Sequence, residues 1–201
     1  MVAGFASAIW FALTGGALGF GLGGVVGALV VGGIAGGVGA VFGWAVVKAE
    51  PYEKTAASVL IFLIDHTWSL LNTMAGAIYL TANLIFGNKI DLERSRHSGA
   101  IQLENGVIPG YLTTVGTVIA GVDEPVHAHE HGHVLQARIF GPMYLLLVAI
   151  SYVLATVLPY WLLYHDRTKY PINSFGNYFL QGVYPHTWNE EWCYRVYGPA
   201  R

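Results

Sequence analysis

The segment best equipped for chemistry is Val126-His127-Ala128-His129-Glu130-His131-Gly132-His133, which contains an H-E-x-x-H motif from His129 to His133. On a helix, side chains four residues apart lie on one face. His129 and His133 can then offer imidazole nitrogens to one zinc ion. Glu130 beside them can take a proton from a water that the metal acidifies to a pKa of about 7. His127 and His131 form a second four-spaced pair on the opposite face, with no glutamate directly after His127. As a strand, the segment would put all four histidines on one face, as in a metal-buffering tract. A structural or pH-responsive histidine cluster is a further reading. Pro125 ahead of the run, and Val134, Leu135, Ala137 and Ile139 behind it, favour a zinc-binding helix. A third ligand must come from elsewhere, and His97, His165, His186, Glu190 and Glu191 are the candidates. His186 lies four residues before Glu190, so it shares a face with it and can act as an oxyanion donor or a rival ligand. Glu190 and Glu191 also suit the acidic first turn of a C-terminal helix.

Asn189-Glu190-Glu191-Trp192-Cys193-Tyr194 resembles the second-helix pattern N-E-x-x-S/A-D of gluzincin-type zinc peptidases. The resemblance implies Glu190 as the third zinc ligand, with small Cys193 at the Ser/Ala position. Tyr194 departs from the pattern: it stands where the family has an Asp that orients a ligand histidine, so a carboxylate or carbonyl elsewhere must take that part. Asp65–Thr73, Thr113–Gly116 and the run from His129 through Gln136, Arg138, Gly141-Pro142 to Tyr144-Leu145 resemble a group of bacterial membrane proteins without an assigned activity. Their motif is H-E-x-G-H-x-x-Q-x-R-x-x-G-P-x-Y-L. The similarity covers about residues 60–198 and implies a zincin-like site on a membrane protein, without naming a substrate. In such peptidases an edge strand beside the metal helix holds the peptide, a role open to Thr113–Ile119. Arg138 reads as an anchor at the membrane interface, or as a partner of Glu130 or Asp123.

The elements around these residues are apolar. Of 201 residues, 54% are hydrophobic and only 11% charged, with a net charge of −2 and a mean hydropathy of +0.50. That composition excludes a disordered chain and a basic nucleic-acid binder, and it points to an integral membrane protein in a lipid bilayer. The single cysteine, Cys193, cannot close a bridge within the chain. Val2 to Val47 carries no charge. As one helix it would run roughly 65–70 Å, about twice a bilayer core, so a two-span hairpin is expected, turning within Gly19–Gly24. Gly15, Gly19, Gly23 and Gly27, the pair Gly32 and Gly36, and the pair Gly39 and Gly43 recur every four residues. Such a glycine zipper suits close packing of the two arms, homo-oligomerisation, or docking on a membrane-protein complex.

The expected fold is therefore mostly α: a polytopic membrane protein with a Gly-rich helical hairpin (1–48) and a zincin-like membrane domain (49–201). The second part comprises further transmembrane helices, a small β unit at about 88–122, the H-E-x-x-H helix at about 124–140, a spanning helix at about 143–164 and a C-terminal helix at about 187–197. Asp65-His66 is expected at an interfacial break, Asn105-Gly106 at a hairpin turn and Tyr111–Ile119 in one strand. Asp123 or Glu124 opens the metal helix. Orientation is open, because Lys and Arg are spread over several loops. The expected function is hydrolysis of a peptide bond by metal-activated water in the bacterial inner membrane. His129, His133 and Glu190 bind zinc, Glu130 is the general base, and His186 is an oxyanion partner. The alternative is a catalytically silent structural or assembly subunit of a larger membrane complex that retains the zincin-like scaffold.

Overall fold

The charge-free N-terminal run is helical throughout (α1, Val2–Ala49) except where it reverses at Gly23 and Gly24. Gly24 holds φ at 60°, a conformation open to glycine at little cost. The computed structural model describes residues 2–107, 112–121 and 124–198. The two arms of α1 close on each other over bare backbone: a Cβ built on Gly19 would stand 2.2 Å from Gly27 O, and one on Gly43 would stand 2.4 Å from Gly4 O. Helices α2 (Ala56–His66) and α3 (Leu70–Ile85) follow. A single turn, α4 (Leu92–Ser95), then leads into a three-stranded sheet of β1 (Ile101–Leu103), β2 (Thr113–Val115) and β3 (Val118–Ala120). The H-E-x-x-H helix is α5 (Glu124–Phe140), and a short 3-10 turn joins it to α6 (Tyr144–Val157). The chain ends in α7 (Phe175–Asn177), a π-helical turn over Tyr178–Val183, a 3-10 turn over Tyr184–His186, and α8 (Trp188–Val196).

The protein is thus mostly helical with few strands, and two stretches, Gly4–Ala49 and Val126–Val157, are long and apolar enough to cross a membrane. The hairpin is not a separate body. Phe11, Phe42, Ala45 and Val46 share one buried cluster with Leu80 of α3, Ile101 and Leu103 of β1, and Val118 of β3.

The structure corrects several sequence expectations. α6 stops at Val157 instead of reaching Tyr164. Leu158 is driven to φ −116°, ψ 77° ahead of Pro159, as the proline ring disfavours a helical residue before it. The single strand expected over Tyr111–Ile119 is two strands reversing at Gly116-Thr117, and Tyr111 itself lies outside the described residues, as does Asp123. Asn105-Gly106 does not join two hairpin strands. β1 pairs with β3 in parallel and β2 pairs with β3 antiparallel, so β3 is central and β2 an edge. Asn105 is instead tied to Asn88, whose Nδ2 donates to Asn105 O at 2.8 Å.

Asp65 and His66 end α2 at the expected break before α3, and both are buried within the protein, at 0% and 1% exposure. Arg138 is not a membrane-interface anchor: its Nε and Nη2 donate to the two Asp65 carboxylate oxygens, each at 2.8 Å. Tyr52 Oη donates to the same carboxylate at 2.8 Å. His66 Nδ1 donates to Phe62 O, which leaves Nε2 facing Ser7 Oγ of the first α1 arm at 2.8 Å. The segment from Asp65 to Asn72 thereby ties the hairpin to α5. It also caps the C-terminal end of α5. Ser69 Oγ donates to Ala137 O at 3.0 Å, Trp68 Nε1 to Ile139 O at 3.2 Å and Asn72 Nδ2 to Gly141 O at 2.7 Å. These bonds satisfy carbonyls that a helix end leaves without intrahelical partners. Gly141 has φ 53°, and any Cβ there would lie 2.3 Å from the Trp68 ring.

Candidate metal centre

Helix α5 presents His129 and His133 one turn apart on a buried face, at 1% and 6% exposure. Their Nε2 atoms lie 3.1 Å from each other. α8 packs against this face of α5. It can approach because residue 132 is glycine: a Cβ there would meet Tyr197 Cδ2 at 2.7 Å and Cys193 Sγ at 2.8 Å. The approach brings the buried Glu190 onto the two imidazoles. Glu190 Oε2 is 3.1 Å from His129 Nε2, and Oε1 is 3.3 Å from His133 Nε2. Burial raises the Glu190 carboxyl, but the hydrogen bonds and charges of His129 and His133 outweigh it and hold the group down to about 2.

His129, His133 and Cys193 also form a buried group able to hold a metal ion, with one ligand atom from each inside a 4.8 Å span. Two donor sets therefore share the imidazoles. Cys193 Sγ sits 3.5 Å from Nδ1 of His133, the nitrogen on the far side of the ring from the three-way contact. In the Glu190 set the two Nε2 atoms are 3.1 Å apart, and the carboxylate spans them through different oxygens, Oε2 at 3.1 Å from His129 and Oε1 at 3.3 Å from His133. Two imidazoles and a carboxylate are a donor set that suits zinc.

Glu130, at 4% exposure, accepts a hydrogen bond from Thr114 Oγ1 of the edge strand at 2.6 Å. Glu130, His133 and Glu190 line a cavity of about 380 Å³, walled by β2, by Leu145, Val148 and Tyr152 of α6, and by Phe179 and Leu180. The walls are apolar, so the acid–base groups face a space that favours few waters.

The remaining sequence candidates are elsewhere. His186 is not an oxyanion partner here. Its Nδ1 donates to Gly182 O, its ring stacks on Trp161 with centroids 5.6 Å apart, and it does not line the cavity. The 3-10 turn before α8 points it to the other side of the chain, so its sequence distance from Glu190 does not translate into a shared face. His165 joins the same aromatic cluster. His97 lines a different cavity, beside Glu50 and Tyr52. Glu191 pairs with Arg195. His127 and His131 lie ring to ring at 4.6 Å, and His131 Nε2 meets Gln102 Nε2 at 3.1 Å.

Two residues that the sequence did not place among the acid–base groups or ligands contact them: Thr114, and Gln136, whose Oε1 lies 3.1 Å from His133 Nδ1. The three-residue spacing of His133 and Gln136 on one helix is the signal for the second. Tyr194, where the gluzincin pattern has Asp, lies over the His129 ring with centroids 4.4 Å apart. His129 Nδ1 is buried and has no hydrogen-bond partner among the described residues. No family model, curated relative or solved structure matches the chain.

Proposed function

We propose that the protein is a zinc metallopeptidase-like hydrolase embedded in the bacterial inner membrane, with a site similar to that of gluzincins. The hairpin and the α5–α6 stretch are its membrane contacts. The observation that carries this reading is the meeting of His129 Nε2, His133 Nε2 and the Glu190 carboxylate at 3.1–3.3 Å, with His133, Glu190 and Glu130 lining one cavity. Zinc held by these residues would supply Lewis acidity, lowering the pKa of a water to about 7 and polarising an amide carbonyl.

Glu130 supplies the proton transfers. Thr114 occupies Oε2 of its carboxylate, leaving Oε1 to accept the proton of the attacking water. The hydroxide adds to the carbonyl carbon, the C–N bond breaks, and Glu130 delivers its proton to the departing nitrogen. Edge strand β2, at the cavity wall, suits an extended peptide that adds to the sheet by main-chain pairing.

The test is metal content and hydrolysis of a fluorogenic peptide library by the purified full chain. Stoichiometric zinc is expected in the wild type and in Glu130→Gln, with hydrolysis reduced about 10²–10⁴-fold in the variant. A wild type that binds no metal overturns the reading.

The second reading, a silent assembly subunit, is supported by Gly33 and Gly37. They are four residues apart on the second arm, and a Cβ on either would meet nothing within 4 Å. They are not used in closing the hairpin and leave a face open to another helix.

A further inference from the structure

His133 is held by a neutral amide where gluzincins use a carboxylate to orient a ligand histidine. Gln136 Oε1 lies 3.1 Å from His133 Nδ1, on the side of the ring opposite the contact with His129 and Glu190. The orientation of the amide follows from its other partners. Gln136 Nε2 donates to Asn189 O at 2.9 Å, and Tyr144 Oη donates to Gln136 Oε1 at 3.3 Å. Turned by 180°, the amide would set its oxygen against the Asn189 carbonyl, acceptor to acceptor, and its NH₂ toward His133. Oε1 is therefore an acceptor aimed at Nδ1. An Nδ1–H donating to that oxygen would leave the Nε2 lone pair for an ion bound at the centre. Gln136, His133, Asn189 and Tyr144 are all buried, so a missing partner in this network is costly.

We infer that Gln136 is the positioning residue of the metal centre, an inference that rests on the metal reading above. Its oxygen fixes the Nδ1–H tautomer of His133. Its NH₂ docks Asn189 and with it the next residue, Glu190. One side chain thus sets the angle of one ligand on α5 and the seat of another on α8. The inference accounts for Tyr194: the orienting acceptor has moved to α5 and serves the second imidazole instead. It also accounts for an amide in place of an acid. A carboxylate at position 136 could accept from Nδ1 but could not donate to Asn189 O, and it would add a second negative charge beside the buried Glu190. The Cys193 thiol, 3.5 Å from the same Nδ1, is the competing partner. Sulfur is the weaker acceptor, and metal ligation by Cys193 together with His133 Nδ1 would demand the opposite tautomer.

The experiment uses the full-length protein in detergent with Zn²⁺ or Co²⁺ alone. Gln136→Met and Gln136→Glu are expected to bind Zn²⁺ about 10–100-fold more weakly than the wild type, in the range seen when a residue that orients a metal ligand is lost. Gln102→Met, which removes an equally buried amide on the other side of α5, is expected to leave the affinity unchanged. Histidine ¹⁵N NMR of the zinc-loaded wild type, which needs no variant to fold, is expected to show His133 protonated at Nδ1 and metal-bound at Nε2. The inference is overturned by wild-type affinity in Gln136→Met, by His133 bound through Nδ1, or by a thiolate-to-Co²⁺ charge-transfer band lost in Cys193→Ser. A wild type that binds neither metal overturns the metal reading itself, so the two failures are distinguishable.

Discussion

Glu190 and Cys193 are on the same helix, one turn apart, and each contacts a different nitrogen of His133. Only one of them can be the third ligand to an ion that both imidazoles bind through Nε2. The proposed function takes the carboxylate, which contacts both Nε2 atoms, and the choice has a measurable consequence. Glu190→Ala is expected to abolish stoichiometric metal, because two neutral imidazoles alone hold a divalent ion weakly in a buried site. Cys193→Ala is expected to retain it. Metal analysis after gel filtration of both variants checks the pair. Loss of metal in Cys193→Ala with retention in Glu190→Ala would assign the centre to the sulfur set.

Between elements, the site depends on how closely α8 lies on α5 and on what holds α5 in place. Gly132 sets the first. Gly132→Val would drive branched carbons into Cys193 Sγ and Tyr197, displacing α8 and carrying Glu190 off the imidazoles. Weaker zinc binding with retained helicity is the expected outcome, read by chelator competition and circular dichroism. The Arg138–Asp65 pair sets the second. Arg138→Met leaves the Asp65 carboxylate buried without its cation, and breaking such a pair costs about 3–5 kcal/mol. A lower thermal midpoint is expected, and Asp65→Asn combined with Arg138→Met is expected to recover part of it, since the uncompensated charge is then gone. Equal midpoints for the single and double variants would show that the ion pair has no such role.

For the protein as a unit, the hairpin and the site-bearing part share a core through Phe11, Phe42 and Leu80, and share a hydrogen bond through Ser7 and His66. Removing residues 2–47 would expose that cluster, so the remainder is expected to lose its cooperative thermal transition. Within the hairpin the glycines divide into two classes. Gly19→Leu places a side chain in Gly27 O and is expected to unfold the arms. Gly33→Leu fills open space and is expected to leave the fold intact while reducing any association carried by that face. Light scattering and thermal melts of the two variants separate the classes. An unchanged oligomeric state in Gly33→Leu removes the support for an assembly role through this stripe.

The bounds of α5, the turn of the hairpin and the end of the chain that supplies Glu190 were all legible from residue order. The first two rest on neighbours a few positions apart, a four-residue histidine spacing and a cluster of glycines; Glu190 was singled out by the resemblance of Asn189-Glu190 to the gluzincin pattern. Side-chain direction along a helix repeats every few residues, so such patterns carry their own geometry. The β unit was less legible, because three-residue strands are too short to show a period and the Gly116-Thr117 reversal lies inside a continuous β-branched run. The partners of Asp65, Ser7, Gln136 and His186 were decided only in three dimensions. Arg138 meets Asp65 across 73 positions and Gln136 meets Asn189 across 53. His186 is turned into the Trp161 cluster by a short 3-10 turn that no spacing rule anticipates. Such contacts depend on which faces of separate helices come together, and that is set by the packing of the whole core, including Gly132 and Gly141, where the absence of a Cβ lets two elements touch.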